Sequence, residues 1–131
     1  MKEVEFFGEN VTFDHIGLVV DSIDKINPDL KLNIHSEPAQ QVSVAFMSLH
    51  GLNVELIEPM GEDSPISLSL KKGQKLVHIC YRTPDLAKSI EESKKRGFLC
   101  FREPLPSKTY GNKMSAWLFS RTYGLFELIE K

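Results

Sequence analysis

Apolar residues along this chain fall into short alternating or continuous runs of strand length, and one of these runs occurs twice. Phe13-Asp14-His15-Ile16-Gly17-Leu18-Val19-Val20-Asp21 reads as a buried strand, and its plan returns in Leu76-Val77-His78-Ile79-Cys80-Tyr81-Arg82-Thr83-Pro84-Asp85. In each copy a histidine opens an apolar or β-branched run, and an Asp suited to begin a turn or helix follows six or seven residues later. Side chains alternate across a strand, so His15 shares a face with Gly17 and Val19, and His78 with Cys80 and Arg82. A chain duplicated in this way is expected to aim two imidazoles at one place.

The intervening pattern supplies the other elements. Residues 1–10 carry Val4, Phe6 and Phe7 among glutamates and read as a short edge strand or a pinned tail. Asp21 or Ser22 caps a helix that Pro28 is expected to end within about two turns, since proline lacks the N–H and clashes with the preceding turn. Residues 30–34 alternate as an edge strand, and residues 36–41, with Pro38, read as a loop. Residues 42–49 form a strong strand, His50-Gly51-Leu52-Asn53 a hairpin turn, and residues 54–58 the returning strand. There Glu55 is a charge on the face of Ile57, costly unless something pairs with it.

Ser64 as cap, Pro65 as first helical residue and Gly73 past the end predict one short helix bridging the halves. Residues 85–96 are the best helix in the chain, stopped by Gly97, with Leu86, Ile90 and Ser93 inward and Glu91 with Lys95 and Glu92 with Arg96 paired outside. Residues 98–101 read as a strand and 102–113 as a long Pro- and Gly-punctuated loop. Residues 114–119 are a strand holding Trp117, and 125–129 close the fold after a turn. Glu127, the single charge between Leu125 and Ile129, answers Glu55.

Composition sets the class. With 131 residues, 41% of them hydrophobic and 26% charged, the chain suits one domain whose core needs no disulfide or metal to fold. A net charge of -2 leaves no basic footprint for nucleic acid. Cys80 and Cys100 lack Cys-x-x-Cys spacing and predict a reduced interior. No basic flank followed by an apolar run opens the chain, and no apolar stretch is long enough to span a bilayer, so a cytoplasmic protein without a membrane partner is expected.

Side by side, each half reads strand, helix, strand, strand, strand, from His15 to Glu55 and from His78 to Glu127. The expected fold class is α+β: two tandem βαβββ modules forming an open curved sheet, the first with a shortened or missing helix. Module 1 spans about residues 11–60 and module 2 about residues 74–131 of a single domain, 1–131. In this the chain resembles the vicinal-oxygen-chelate superfamily of glyoxalases, bleomycin-resistance proteins and extradiol dioxygenases. Within it, Asp14-His15-Ile16-Gly17, Val54-Glu55-Leu56-Ile57-Glu58-Pro59, Asp63-Ser64-Pro65-Ile66, His78-Ile79 and Leu125-Phe126-Glu127-Leu128 most resemble the methylmalonyl-CoA epimerases.

The resemblance implies a divalent metal, Co, Ni, Mn, Zn or Fe, held by His15, Glu55, His78 and Glu127. It implies a metal-dependent epimerase, isomerase or lyase that removes a proton beside a carbonyl of a small acyl, thioester or α-keto substrate. Glu127 is the implied base, with Glu55 or a water as the alternative. Two imidazoles and two carboxylates suit such ions and leave two octahedral positions for substrate oxygens. Two other functions compete: a metal-free, resistance-type binder of small molecules, whose acids pair with Arg82 or a lysine, and an extradiol-type dioxygenase, against which four ligands and a short chain count.

Two departures follow from spacing. His15 lies 40 residues before Glu55, whereas His78 lies 49 before Glu127, and the shortfall is expected at the first helix. Ile16, Leu18 and Val20 would then need cover from the Phe6–Phe7 segment, a swapped element or a second chain, which predicts a homodimer. The epimerases carry an acidic residue in a Pro-Glu-x-Gly-Val pattern, where this chain has Pro38-Ala39-Gln40-Gln41-Val42; Glu37 is nearby but out of register. His35 and His50 are discounted as ligands, Glu58 and Glu62 read as surface, and Tyr110-Gly111-Asn112-Lys113 reads as a loop able to close over substrate.

Overall fold

Strands form where the sequence runs apolar or alternates, and each His-bearing run becomes the first strand of a βαβββ module. The computed structural model describes residues 1–64 and 66–131. It divides into one unit of His15–Val77 and another of Met1–Asp14 with His78–Lys131. In the first unit the elements are β1 (Thr12–Val19, from His15 onward), α1 (Ile23–Leu30), β2 (Ile34–Glu37), β3 (Val42–Leu49), β4 (Leu52–Pro59) and α2 (Ser67–Lys71). The strands lie in the order β2-β3-β4-β1, with β1 parallel to β4 and the other pairs antiparallel. In the second unit β5 (Leu76–Thr83), α3 (Leu86–Lys94), β6 (Leu99–Ser107), β7 (Lys113–Ser120) and β8 (Gly124–Glu130) repeat the plan, in the order β5-β8-β7-β6.

Alternation then sorts side chains between the two faces of each sheet. In the first unit Ile23 of α1 packs with Ala45, Val54 and Leu56, joined by Ile16, Leu18 and Val20. Val42, Val44 and Ile57 point the other way, with Phe46 beside them. In the second unit α3 lays Leu86 and Ile90 onto Ala116, Leu118, Phe126 and Leu128, and Phe7 and Phe98 close that core.

The α+β class and the tandem modules are as expected, with a short first helix of 8 residues. Several local expectations are corrected. The helix runs through Pro28 to Leu30 and ends at Lys31, which takes a left-handed conformation with φ 55. The strand expected at residues 30–34 begins only at Ile34, because the Asn27 side chain takes both backbone groups of Leu32, at 3.0 and 2.6 Å. Residues 36–41 are not all loop, since β2 continues to Glu37 and a 3-10 turn follows over Pro38–Gln40.

Nor is the shortfall of module 1 in its helix, which has 8 residues against 9 in α3; most of it lies in β2, with 4 residues against 9 in β6. The loop expected at residues 102–113 is largely β6, whose second register shift, between Arg102 and Leu105, spans Pro104, while Pro106 stands in register opposite Met114 on an outer strand. The hairpin turn is tighter than expected, with only His50 and Gly51 between the strands, both at positive φ, as a two-residue turn of type I′ requires.

The bridging helix starts at Ser67 rather than near Ser64, and the expectation placed on Pro65 lies outside the described residues. On α3 the ion pairs are Glu91 with Lys94 and Glu92 with Lys95, one residue closer than expected. Arg96 lies instead over the Phe6 ring, 5.5 Å away. Phe6 and Phe7 serve the second unit's core, so the N-terminal segment does not cover Ile16, Leu18 and Val20; α1 does. No helix among the described residues is long and apolar enough to cross a membrane.

Candidate metal centre

The four expected ligands fall into two pairs, one per unit, built by the same register. In the first unit Gly17 of β1 stands opposite Glu55 of β4, and His15 lies two residues before Gly17 on the same face. In the second, Cys80 of β5 stands opposite Glu127 of β8, and His78 lies two residues before Cys80. The offset brings His15 Nε2 to 3.6 Å from Glu55 Oε1 and His78 Nε2 to 3.7 Å from Glu127 Oε1. All four residues are buried.

An aromatic completes each pair. Phe46 of β3 stands opposite Glu55, and its ring meets the His15 imidazole edge-on at 5.5 Å. Trp117 of β7 stands opposite Glu127 and meets His78 edge-on at 4.8 Å. Such contacts hold a ring's orientation while excluding water from it. Their equivalence is hidden in the sequence by one residue, since Phe46 precedes its glutamate by nine positions and Trp117 by ten.

The donor set fits a divalent ion. The pair distances of 3.6 and 3.7 Å exceed the usual reach of an N–H···O bond, about 3.2 Å. They fall short of about 4.2 Å, twice a typical metal–imidazole or metal–carboxylate bond. Each pair is thus spaced as two donors directed at one point. Cys80, on the same face as His78, is fully buried, and its Sγ lies 3.8 Å from the Tyr81 carbonyl oxygen.

Further along β5 the face of His78 and Cys80 ends in Arg82. Its Nε donates to Asp14 Oδ1 at 2.7 Å, and its guanidinium lies 5.3 Å from the centre of the Tyr110 ring. Partial burial works against that charge, but the hydrogen bond and charge of Asp14 outweigh it and hold the guanidinium above its ordinary pKa. The sequence offered no signal for this pairing, because Asp14 and Arg82 are 68 positions apart. Glu58, expected on the surface, instead accepts the Ile23 N–H at 2.7 Å. Glu37, the buried end of an otherwise exposed β2, stands opposite Val42, on the face of Val44 and Phe46. His35 and His50 are exposed. A groove of about 800 Å³ beside α3 and β6 includes none of the four candidate ligands.

The chain belongs to the glyoxalase/bleomycin resistance protein/dioxygenase superfamily, whose family model matches residues 14–115. Its curated relatives include the ethylmalonyl-CoA/methylmalonyl-CoA epimerase of Cereibacter sphaeroides, 36% identical over 63 residues, which are 47% of each chain. The protein YqjC of Bacillus subtilis is 37% identical over 86 residues, 60% of this chain and 61% of that one. The match thus spans about half to three fifths of these relatives' lengths.

Among solved structures, the hypothetical protein BH1468 of Bacillus halodurans superposes with a TM-score of 0.77 at 30% identity, covering 94% of this chain and 96% of that one. A Streptomyces coelicolor methylmalonyl-CoA epimerase in complex with 2-nitronate-propionyl-CoA gives 0.74 at 20% identity, covering 92% and 96%, a likeness of fold. The glyoxalase-like fold is therefore established, and epimerases stand among its relatives.

Proposed function

We propose that His15, Glu55, His78 and Glu127 together hold one divalent metal ion, and that the protein is a metal-dependent epimerase, isomerase or lyase. Its reaction is removal of a proton beside the carbonyl of a small acyl, thioester or α-keto substrate. The observation that carries this reading is the repetition of a buried His–Glu–aromatic trio, at 3.6 and 3.7 Å, in both halves of the chain. A lone buried histidine is commonly a packing residue, but two copies in one register, each joined to a carboxylate, match the donor chemistry of Mn, Fe, Co, Ni and Zn sites. The epimerases among the relatives support the same reaction class.

When bound, such an ion supplies a Lewis acid that polarises a carbonyl and stabilises the negative charge developing beside it. The chain's own residues do the rest. Phe46 and Trp117 fix the imidazoles and keep water from them. Glu127 takes the proton: a carboxylate has two oxygens, so one that serves as a ligand retains another for proton transfer. Glu55, its counterpart in the other module, returns a proton in this scheme. The reading requires the two units to work as one domain.

The test is the metal content of protein purified without a histidine tag, for the wild type and for His15→Ala and Glu127→Ala. Near-stoichiometric metal in the wild type, lost in both variants, is expected. Wild type that takes up none of these metals even when they are added overturns the proposal and leaves a metal-free binder of small molecules.

A further inference from the structure

The two modules match at the His–Glu–aromatic trios and differ beside them, in a group that a symmetric ion does not need. Asp14, Arg82 and Tyr110 form one cluster in the second unit. Counting from each module's histidine, Asp14 corresponds to Val77 and Arg82 to Val19; by position in the 3-10 turns, Tyr110 corresponds to Gln40. An aspartate, an arginine and a tyrosine therefore replace two valines and a glutamine. Where the first module buries Val19 completely, the second places a guanidinium whose side chain is 29% exposed.

Arg82 is held rather than consumed by its neighbours. Asp14 engages Nε alone, and the ring of Tyr110 lies against the guanidinium. The two terminal amino groups, which carry four of the five N–H donors, have no hydrogen-bond partner among the described residues. A guanidinium fixed at its inner nitrogen, partly exposed and unmatched at its outer edge presents a ready fork for a planar or tetrahedral anion. Its strand face is that of His78 and Cys80, and it stands opposite Ile129 just as Cys80 stands opposite Glu127. An anion on this fork is therefore on the same face as the His78–Glu127 pair, with the Arg82 backbone about 13 Å along the strand from that of His78.

We infer that Arg82, oriented by Asp14 and Tyr110, binds a negatively charged group of the substrate, a carboxylate or phosphate remote from the reacting carbon. Arg82 thereby restricts the enzyme to anionic acyl compounds. This rests on the metal-centre reading above for the reaction, but not for the anion itself. The asymmetry supplies orientation: with the cation at one end only, the substrate enters one way round.

Binding of two matched thioesters by the metal-loaded protein tests the inference: glutaryl-CoA, whose carboxylate lies three carbons from the thioester carbonyl's neighbour, and pentanoyl-CoA, in which a methyl replaces that carboxylate. The N-acetylcysteamine thioesters of the same acids, which lack the phosphates of CoA, are measured alongside. Arg82→Gln is compared with the wild type by calorimetry. Loss of a charge-assisted pair is expected to weaken the recognised anion roughly ten-fold or more while leaving metal content unchanged. A loss confined to the carboxylate-bearing acyl groups, with or without CoA, assigns the carboxylate. Equal loss for both CoA esters, absent from the short thioesters, assigns a phosphate.

Equal weakening of all four compounds, pentanoyl-N-acetylcysteamine included, or of none, overturns the inference. Asp14→Asn is the second variant: it is expected to reproduce part of the loss if Asp14 orients Arg82, with an unchanged far-ultraviolet spectrum certifying the fold. Should the wild type prove unable to bind metal, the metal-centre reading fails by itself. Anion binding by Arg82 is then read with the metal-free protein and the same ligand pairs.

Discussion

Glu58 sits three residues beyond Glu55 on β4, and the period of two sends the pair to opposite faces of the sheet. Glu55 turns toward His15, whereas Glu58 turns toward α1 and accepts the Ile23 N–H at 2.7 Å, at the first turn of the helix. That N–H is among the donors a helix cannot satisfy internally, and Ser22 already takes the Lys25 N–H from the other side. Glu58→Ala should lower stability by about 1 kcal/mol, the usual worth of a helix cap, and Glu58→Gln by less, with metal content unchanged in both. Urea denaturation reads the first effect. Had Glu58 only a solvated role, the midpoint would not move. Glu55 and Glu127 were legible in the sequence because a lone charge in an apolar alternation must be paired. Glu58 was not, because its partner lies 35 residues away and is a backbone group.

At the scale of elements, α1 marks the limit of reading breakers from sequence. Pro28 lies in the sixth position of an eight-residue helix and removes one hydrogen bond, yet the helix persists for two further residues. Its stop is Lys31, whose N–H returns to the Asn27 carbonyl while its backbone sits at φ 55 and ψ 44. The left-handed region costs a residue bearing a Cβ about 1–2 kcal/mol, and glycine is the usual occupant of this position. Lys31→Gly should therefore raise stability by roughly 0.5–1 kcal/mol, part of the relief being offset by glycine's freedom in the unfolded chain. A lower denaturation midpoint in this variant would mean that Lys31 does more than end the helix. α3, by contrast, was legible nearly to the residue, since Asp85 caps it and Gly97 follows its end. The strands β2 and β6 were the hardest to place: Asn27 pulls Leu32 out of the first, and prolines in the second concealed a strand that register shifts accommodate.

At the scale of the whole molecule, duplication accounts for what is alike in the two halves and marks out what is not. The trios of His15, Glu55 and Phe46 and of His78, Glu127 and Trp117 are copies, as an ion taking ligands from both halves would require. The cluster of Asp14, Arg82 and Tyr110 occurs once, its counterparts being Val77, Val19 and Gln40, as a chiral and elongated substrate would require. If four residues from two units serve one ion, the units should also unfold as one. Trp117 is the only tryptophan and reports the second unit, while far-ultraviolet circular dichroism reports the helices and strands of both. Coincident denaturation curves from the two probes are expected, as for a single cooperative domain. Added Co²⁺ or Mn²⁺ should move both curves upward together, because a ligand of the folded state stabilises whatever must be folded to bind it. Metal that shifts the tryptophan curve and leaves a separate dichroism transition in place would confine the site to the second unit, with His78 and Glu127 as its ligands and His15 and Glu55 as a disused copy.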